Sequence, residues 1–275
     1  MKVIKKFKDF FKIQENIKEK PLGVLKTKVS CVIKRKDGKP MFMNLGENAT
    51  LVGGTQDYVK NIWNIQSSDL IDIPNLDSEF LGLETPTYSS EKRQIFGFGL
   101  GIDGAVGSTI LAVKRHSKGY EKDQLIAFDT VSTVLDDTDA NFARYAFRAI
   151  DGNQAQYFIK KFAPSFEVIS AKSKAAIPDN PSVNYTGTED VRCHTRIETV
   201  ILKEECNRWF GKNFGSTDTA HFNSIILFAG RPCTITVNSK VYNTFRDIIA
   251  TNKINFKDTS LVDTEVKIIY DLYYV

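Results

Sequence analysis

The sequence predicts a mainly β protein: an antiparallel, sandwich-like body with a few short helices and an amphipathic N-terminal helix. Three observations predict it. Apolar residues recur at every second position in short runs from residue 28 onward, the period of a half-buried strand. Asp37-Gly38 and Asp151-Gly152 each stand between two such runs, a strong short-range hairpin signal. Strand-like runs also follow one another through tight turns with few long helical stretches, which favours antiparallel pairing over βαβ units.

Taken in order, residues 1–20 come first. Val3, Ile4, Phe7, Phe10, Phe11 and Ile17 fall at spacings of three and four with lysines between them, one apolar stripe on a helix that Pro21 ends. The stripe could pack on its own domain, dock on a neighbouring subunit as an arm, or lie on a membrane surface. The subunit contact is assigned to Ile4, Phe7, Phe10 and Phe11.

Residues 21–275 form the body, with 66–92 as a place where it could be subdivided. Residues 28–34 and 41–43 read as a strand pair around the turn at Lys36–Lys39. Gly53-Gly54 break the chain ahead of Thr55, the expected helix cap, and Tyr58, Val59, Ile62 and Trp63 follow at helical spacing. Residues 66–92 carry Pro74 and Pro86 among polar residues and read as a surface excursion. Further strands are expected at 125–128, 142–150, 155–162, 166–169, 192–200, 222–228, 234–237 and 266–274, with a polar loop at 171–190 and a short helix at 203–210.

Composition narrows the function classes. Of 275 residues, 42% are hydrophobic and 25% charged, the balance of a globular chain rather than a disordered one. No apolar run approaches the roughly 20 residues a transmembrane helix needs. The formal charge is +4, yet residues 1–20 alone hold seven lysines against three acids, leaving 30 of each sign in the other 255 residues. The body is neutral, so nucleic acid would be met only through the basic N-terminal segment. The four cysteines (Cys31, Cys193, Cys206, Cys233) form no Cys-x-x-Cys pair, and nothing resembles a secretory signal, so reduced thiols are expected.

Several chemical motifs can be weighed. Gly99, Gly101 and Gly104 satisfy G-x-G-x-x-G, which would make a nucleotide-binding enzyme if a strand preceded them and a helix followed to receive the pyrophosphate. The bland alternative is that these glycines let backbones pass close together or turn sharply. Asp136–Asn141 resembles a calcium loop, but Phe142 stands where glycine is needed and Arg148 where glutamate is needed. His116, Cys193, His194, Cys206, His221 and Cys233 lack a zinc spacing, and adjacent Cys193 and His194 point to opposite faces of a strand. Glu204 and Glu205 would splay apart on a helix. With no P-loop and no G-x-S-x-G elbow, no catalytic residue, cofactor or metal is expected. Tyr270, Tyr273 and Tyr274 cluster near the C-terminus; exposed tyrosines would suit a carbohydrate or host-surface binding module.

The order of features resembles virion structural proteins of tailed bacteriophages, the kind that build neck, tail or baseplate rings. The likeness covers roughly residues 25–274. It rests on the leading strand pair, Gly53-Gly54 with its helix, Phe96–Gly99, the strands around Asp151-Gly152, the unit Arg196–Phe210, Lys253–Phe256, and the closing run Ile268–Tyr274. It implies a non-enzymatic protein located in the virion, assembled in the host cytoplasm, whose partners are copies of itself and neighbouring virion proteins.

Overall fold

A computed structural model describes residues 25–34, 40–46, 49–63, 86–90, 92–115, 118–121, 124–131, 145–151, 154–162, 165–170, 176–177, 191–205, 215, 221–237, 239–260 and 265–274. The protein is mainly β with antiparallel sheets. In chain order the first elements are β1 (Leu25–Lys34), β2 (Pro40–Gly46), β3 (Ala49–Thr50), helix α1 (Val52–Trp63), β4 (Thr87–Tyr88) and β5 (Gln94–Gly101). Next come β6 (Ala105–Val106), β7 (Thr109–Ile110), β8 (Leu125–Ile126), β9 (Asp129–Val131), β10 (Tyr145–Asp151) and β11 (Gln154–Lys161). The last are β12 (Ser165–Ser170), β13 (Ala176–Ile177), β14 (Val191–Ile201), β15 (His221–Val237), β16 (Lys240–Ser260) and β17 (Glu265–Tyr274). The expected N-terminal helix, with Ile4, Phe7, Phe10 and Phe11, lies outside the described residues, as does most of the 66–92 excursion.

The chain divides into two compact units. The larger comprises Val29–Ala163 and Glu198–Ile269 and holds a nine-stranded sheet. Its main path is β10-β11-β5-β15-β16-β3, with β4 on β15, β8 on β5 and β9 on β11. The spine is the β15–β16 hairpin, 17 and 21 residues long. Its register closes at Val237↔Lys240, with Ser239 in the left-handed region at φ 67°.

So long a hairpin cannot stay flat against its neighbours, and bulges bend it. The register shifts between Leu227 and Phe228 and again between Ala229 and Arg231, while Asp247 on the facing strand takes φ 51°. Before the bend β15 pairs with β5; beyond it β15 pairs with β4 through Cys233↔Tyr88. The far limb of β16 then meets edge strand β10, where Thr244 Oγ1 donates to the Ala146 carbonyl at 2.8 Å. Phe245 stacks on Phe96 with ring centroids 4.1 Å apart. Beneath lies a core that includes Leu51, Phe96, Phe158, Ile159, Phe228 and Ile248, all buried.

Both hairpins signalled by Asp-Gly form. β1 pairs with β2 (Val32↔Phe42, Lys34↔Pro40), and β10 with β11 (Asp151↔Gln154, with two residues between them). The cap assigned to Thr55 is corrected. Helix α1 begins at Val52, and the Thr55 backbone N–H donates to the Leu51 carbonyl at 3.0 Å, so Thr55 already sits inside the first turn. Gly53 and Gly54 belong to that turn, and at Gly54 it presses on β16: a Cβ there would come within 2.6 Å of the Thr251 carbonyl oxygen. Within this unit Lys267 of β17 also meets Glu198 of β14 at 2.7 Å.

The smaller unit comprises Met1–Lys28, Pro164–Ile197 and Tyr270–Val275. Its strand β12 pairs antiparallel with β13 (Val168↔Ile177) and with β14 (Ser165↔Arg196 to Ser170↔Val191). Among the described residues no helix is long and apolar enough to cross a membrane.

Candidate functional site

The glycine-rich segment is a strand at the centre of the large sheet. Gly97, Gly99 and Gly101 lie on one face of β5, paired with Phe228, Ile226 and Ser224 of β15. A Cβ would fall 2.5 Å from Ile159 Cγ2 at Gly97, 2.9 Å from Phe228 Cε2 at Gly99 and 2.5 Å from Ser224 Oγ at Gly101. The glycines therefore make room for neighbouring side chains. The nucleotide reading needed a helix after Gly104, and it is corrected: the β6–β7 hairpin follows instead, turning at Gly107 with φ +59°. The Gly104 N–H is directed at Asn223 Oδ1, 2.6 Å away. No helix N-terminus stands there to receive a phosphate.

Beyond Gly101 the chain meets a polar cluster built around buried Asn223, Ser224 and Lys253. Asp103 Oδ1 accepts from Ser224 Oγ at 2.8 Å, and Asp103 Oδ2 accepts from Lys253 Nζ. Asn223 Nδ2 donates to Asp258 Oδ1 at 2.5 Å and to the Ile102 carbonyl at 3.3 Å. Lys253 is 6% exposed and Ser224 fully buried. Register assembles the group: Ser224 faces Asn255 and Ile226 faces Lys253, which puts Lys253 and Asn255 two residues apart on one face of β16. Taking a lysine and a carboxylate out of water costs several kcal/mol for each ion, so the pair holds only through direct contact and the added serine hydrogen bond.

A cleft of about 600 Å³ opens beside this pair. It is lined by Leu111–Lys114, by Gly119–Glu121 with Gln124, and by Asp103, Lys253 and Asn255. A neighbouring cleft of about 370 Å³ shares Leu111, Val113, Lys253 and Asn255. Asn255 Nδ2 donates to the Leu111 carbonyl at 2.9 Å, while its Oδ1 is buried without a hydrogen-bond partner.

A second buried ion pair was not legible as a pair. Glu204 is exposed and Glu205 buried, the divergence expected of adjacent residues on a helical turn. Glu205 Oε2 accepts from Lys160 Nζ at 2.8 Å, and Oε1 lies 3.4 Å from the Tyr145 hydroxyl.

Among the described residues the remaining candidates do not converge. Cys193 and His194 sit on β14 opposite Val168 and Glu167, His221 faces Ser260, and Cys233 is buried opposite Thr244. His116, Cys206 and Asp136–Asn141 lie outside the described residues. Among the described residues no three His, Cys, Asp or Glu side chains come together as a metal site. Phe96, Phe98 and Tyr270 are core residues. No family model, no curated protein and no solved structure matches the chain.

Proposed function

We propose that this protein is a non-enzymatic structural component of a tailed-phage virion, forming or joining a ring in the neck or tail through contacts with copies of itself and neighbouring virion proteins. The observation that carries the reading is the β6–β7 hairpin. Val106 is 69% exposed, Ile110 52% and Leu111 40%, three apolar side chains presented to water within six residues. Clustered apolar exposure of this kind marks a protein contact. A hairpin that seats on a different patch of the next subunit makes a heterologous contact, and such contacts close into rings when the rotation allows. The stripe Ile4, Phe7, Phe10 and Phe11 supplies a second contact in this proposal, and the lysines beside it are where nucleic acid would be met.

Mass photometry of three chains tests it: the intact protein, a chain lacking residues 1–20, and the triple variant Val106→Ser, Ile110→Ser, Leu111→Ser. The expected result is a discrete oligomer for the intact protein that falls to 31.0 kDa particles in the triple variant, with unchanged circular dichroism. An intact chain that stays monomeric at every concentration overturns self-assembly. An oligomer that survives loss of residues 1–20 removes the N-terminal stripe from the interface and leaves the hairpin contact standing.

A further inference from the structure

We propose that Lys253 and Asp103 become joined by an isopeptide bond, a covalent cross-link between β16 and the connection that follows β5. Both side chains are withdrawn from water, 7% and 15% exposed, and Lys253 Nζ is in direct contact with Asp103 Oδ2. The two residues are held from both ends. Lys253 is fixed in β16 by its pairing with Ile226 on one side and Ala49 on the other, and Asp103 by the Ser224 hydroxyl and by Gly104 pinned to Asn223. Such fixed proximity is what turns a slow bimolecular condensation into a feasible intramolecular one.

The groups present suffice for the reaction. For the bond to form, the ammonium first passes a proton to the carboxylate oxygen it already touches, leaving a neutral amine and a carboxylic acid. The Nζ lone pair attacks Asp103 Cγ, and the Cγ=Oδ1 electron pair moves onto Oδ1. The Ser224 hydroxyl, 2.8 Å from Oδ1, donates to the developing negative charge. Oδ2 takes a further proton from Nζ and departs as water into the adjoining cleft, and the C=O reforms. One C–N bond is made, one C–O bond is broken, and nothing is oxidised or reduced.

The product also suits its surroundings better than the ion pair does. Two buried charges are replaced by a neutral amide whose carbonyl keeps the Ser224 hydrogen bond. The new N–H needs an acceptor, and Asn255, on the same face of β16 and lining the same cleft, holds a buried Oδ1 with no partner. A competing reaction exists at the same carboxyl group, because in an Asp-Gly sequence the following backbone nitrogen can attack and close an imide with the same loss of water. Here the Gly104 N–H is engaged by Asn223 Oδ1 at 2.6 Å, which directs it away from Asp103.

Intact-mass spectrometry of the folded full-length protein, unfolded just before injection, tests the bond. The expected mass is one water below that of the sequence, with a branched proteolytic peptide joining the segments around Lys253 and Asp103. The Lys253→Arg and Asp103→Ala chains should both show their full masses. A wild-type protein at the full sequence mass, with both segments recovered as linear peptides, overturns the proposal whatever the variants do. Loss of water that persists in Lys253→Arg also overturns it and assigns the lost water to an imide.

Discussion

Glu205 holds Lys160 with both carboxylate oxygens, Oε2 at 2.8 Å and Oε1 at 3.0 Å from Nζ, and Oε2 also accepts the Leu202 backbone N–H at 3.1 Å. The pair ties β11 to the turn after β14, with side chains 12% and 9% exposed. Removing one partner strands a buried charge, so Glu205→Ala should lower unfolding free energy by about 3–5 kcal/mol. The double variant Lys160→Met, Glu205→Leu should recover most of that loss. Urea titration of the three chains at neutral pH measures both quantities, and a double variant no better than Glu205→Ala would show that the contact, not the stranded charge, carries the cost.

The glycines of the central strand and of the chain that follows it predict an order of damage. At Gly104 a Cβ would fall 2.0 Å from the Asn223 carbonyl oxygen, backbone that cannot swing aside. At Gly97 the closest atom is a side-chain methyl at 2.5 Å, though the Lys160 carbonyl oxygen follows at 2.8 Å. Gly107 has nothing within 4 Å and only its φ of +59° to restrict it. Gly104→Ala should therefore cost the most and Gly97→Ala about 1–3 kcal/mol as overpacking. Gly107→Asn should be nearly neutral, since asparagine tolerates the left-handed region. Thermal melts of the three variants rank them.

These residues also show what was legible before folding and what was not. Alternation and Asp-Gly turns located β1, β2, β10 and β11, because both signals are local. β16 was largely missed: Asn243, Asp247 and Asn252 interrupt its apolar period, and Asp247 is the bulge residue that bends the strand. The glycines looked like a phosphate loop because the reason for them, Phe228 and Ile159 packing over the strand, comes from elements far along the chain. The polar cluster beside the cleft was invisible for the same cause. Asp103, Ser224 and Lys253 meet only through the pairing of β15 with β5 and β16. The one local hint was polar Asn223-Ser224 set directly before the apolar run Ile225–Ala229.

Arg231 lies over the Tyr88 ring at 3.9 Å while its Nη1 reaches Asp247 Oδ2 at 2.7 Å and its Nε the Ser90 carbonyl at 3.3 Å. One planar group thus fastens the 88–90 segment to the bend of the long hairpin. Lysine keeps the charge but cannot stack and donate in two directions at once. Arg231→Lys should lose about 1 kcal/mol. It should also raise amide exchange at the β4 pairing while leaving the β5 pairing protected, and uniform exchange across both would refute a local fastening role.

Tyr270 of β17 is 1% exposed, and its hydroxyl is buried without a hydrogen-bond partner. Burial raises its ionisation well above the usual 10.0 because the phenolate is the form that loses hydration. The sign follows from linkage: the folded state keeps the phenol proton where the unfolded chain releases it. The stability associated with the neutral phenol is complete below pH 10 and declines as pH rises beyond it. Tyr270→Phe removes both an unsatisfied polar group and this titration. Near pH 7 the variant should match or exceed the wild type by up to about 1 kcal/mol. The difference should grow in favour of phenylalanine above pH 10, because only the tyrosine chain gains by unfolding there. Lys161, lowered by desolvation, works in the opposite direction as it approaches its ordinary 10.5, so the comparison must be read as variant minus wild type at each pH. Paired urea titrations at pH 7 and above pH 10 measure it, and a pH-independent difference would show that the hydroxyl reaches water or an acceptor in solution.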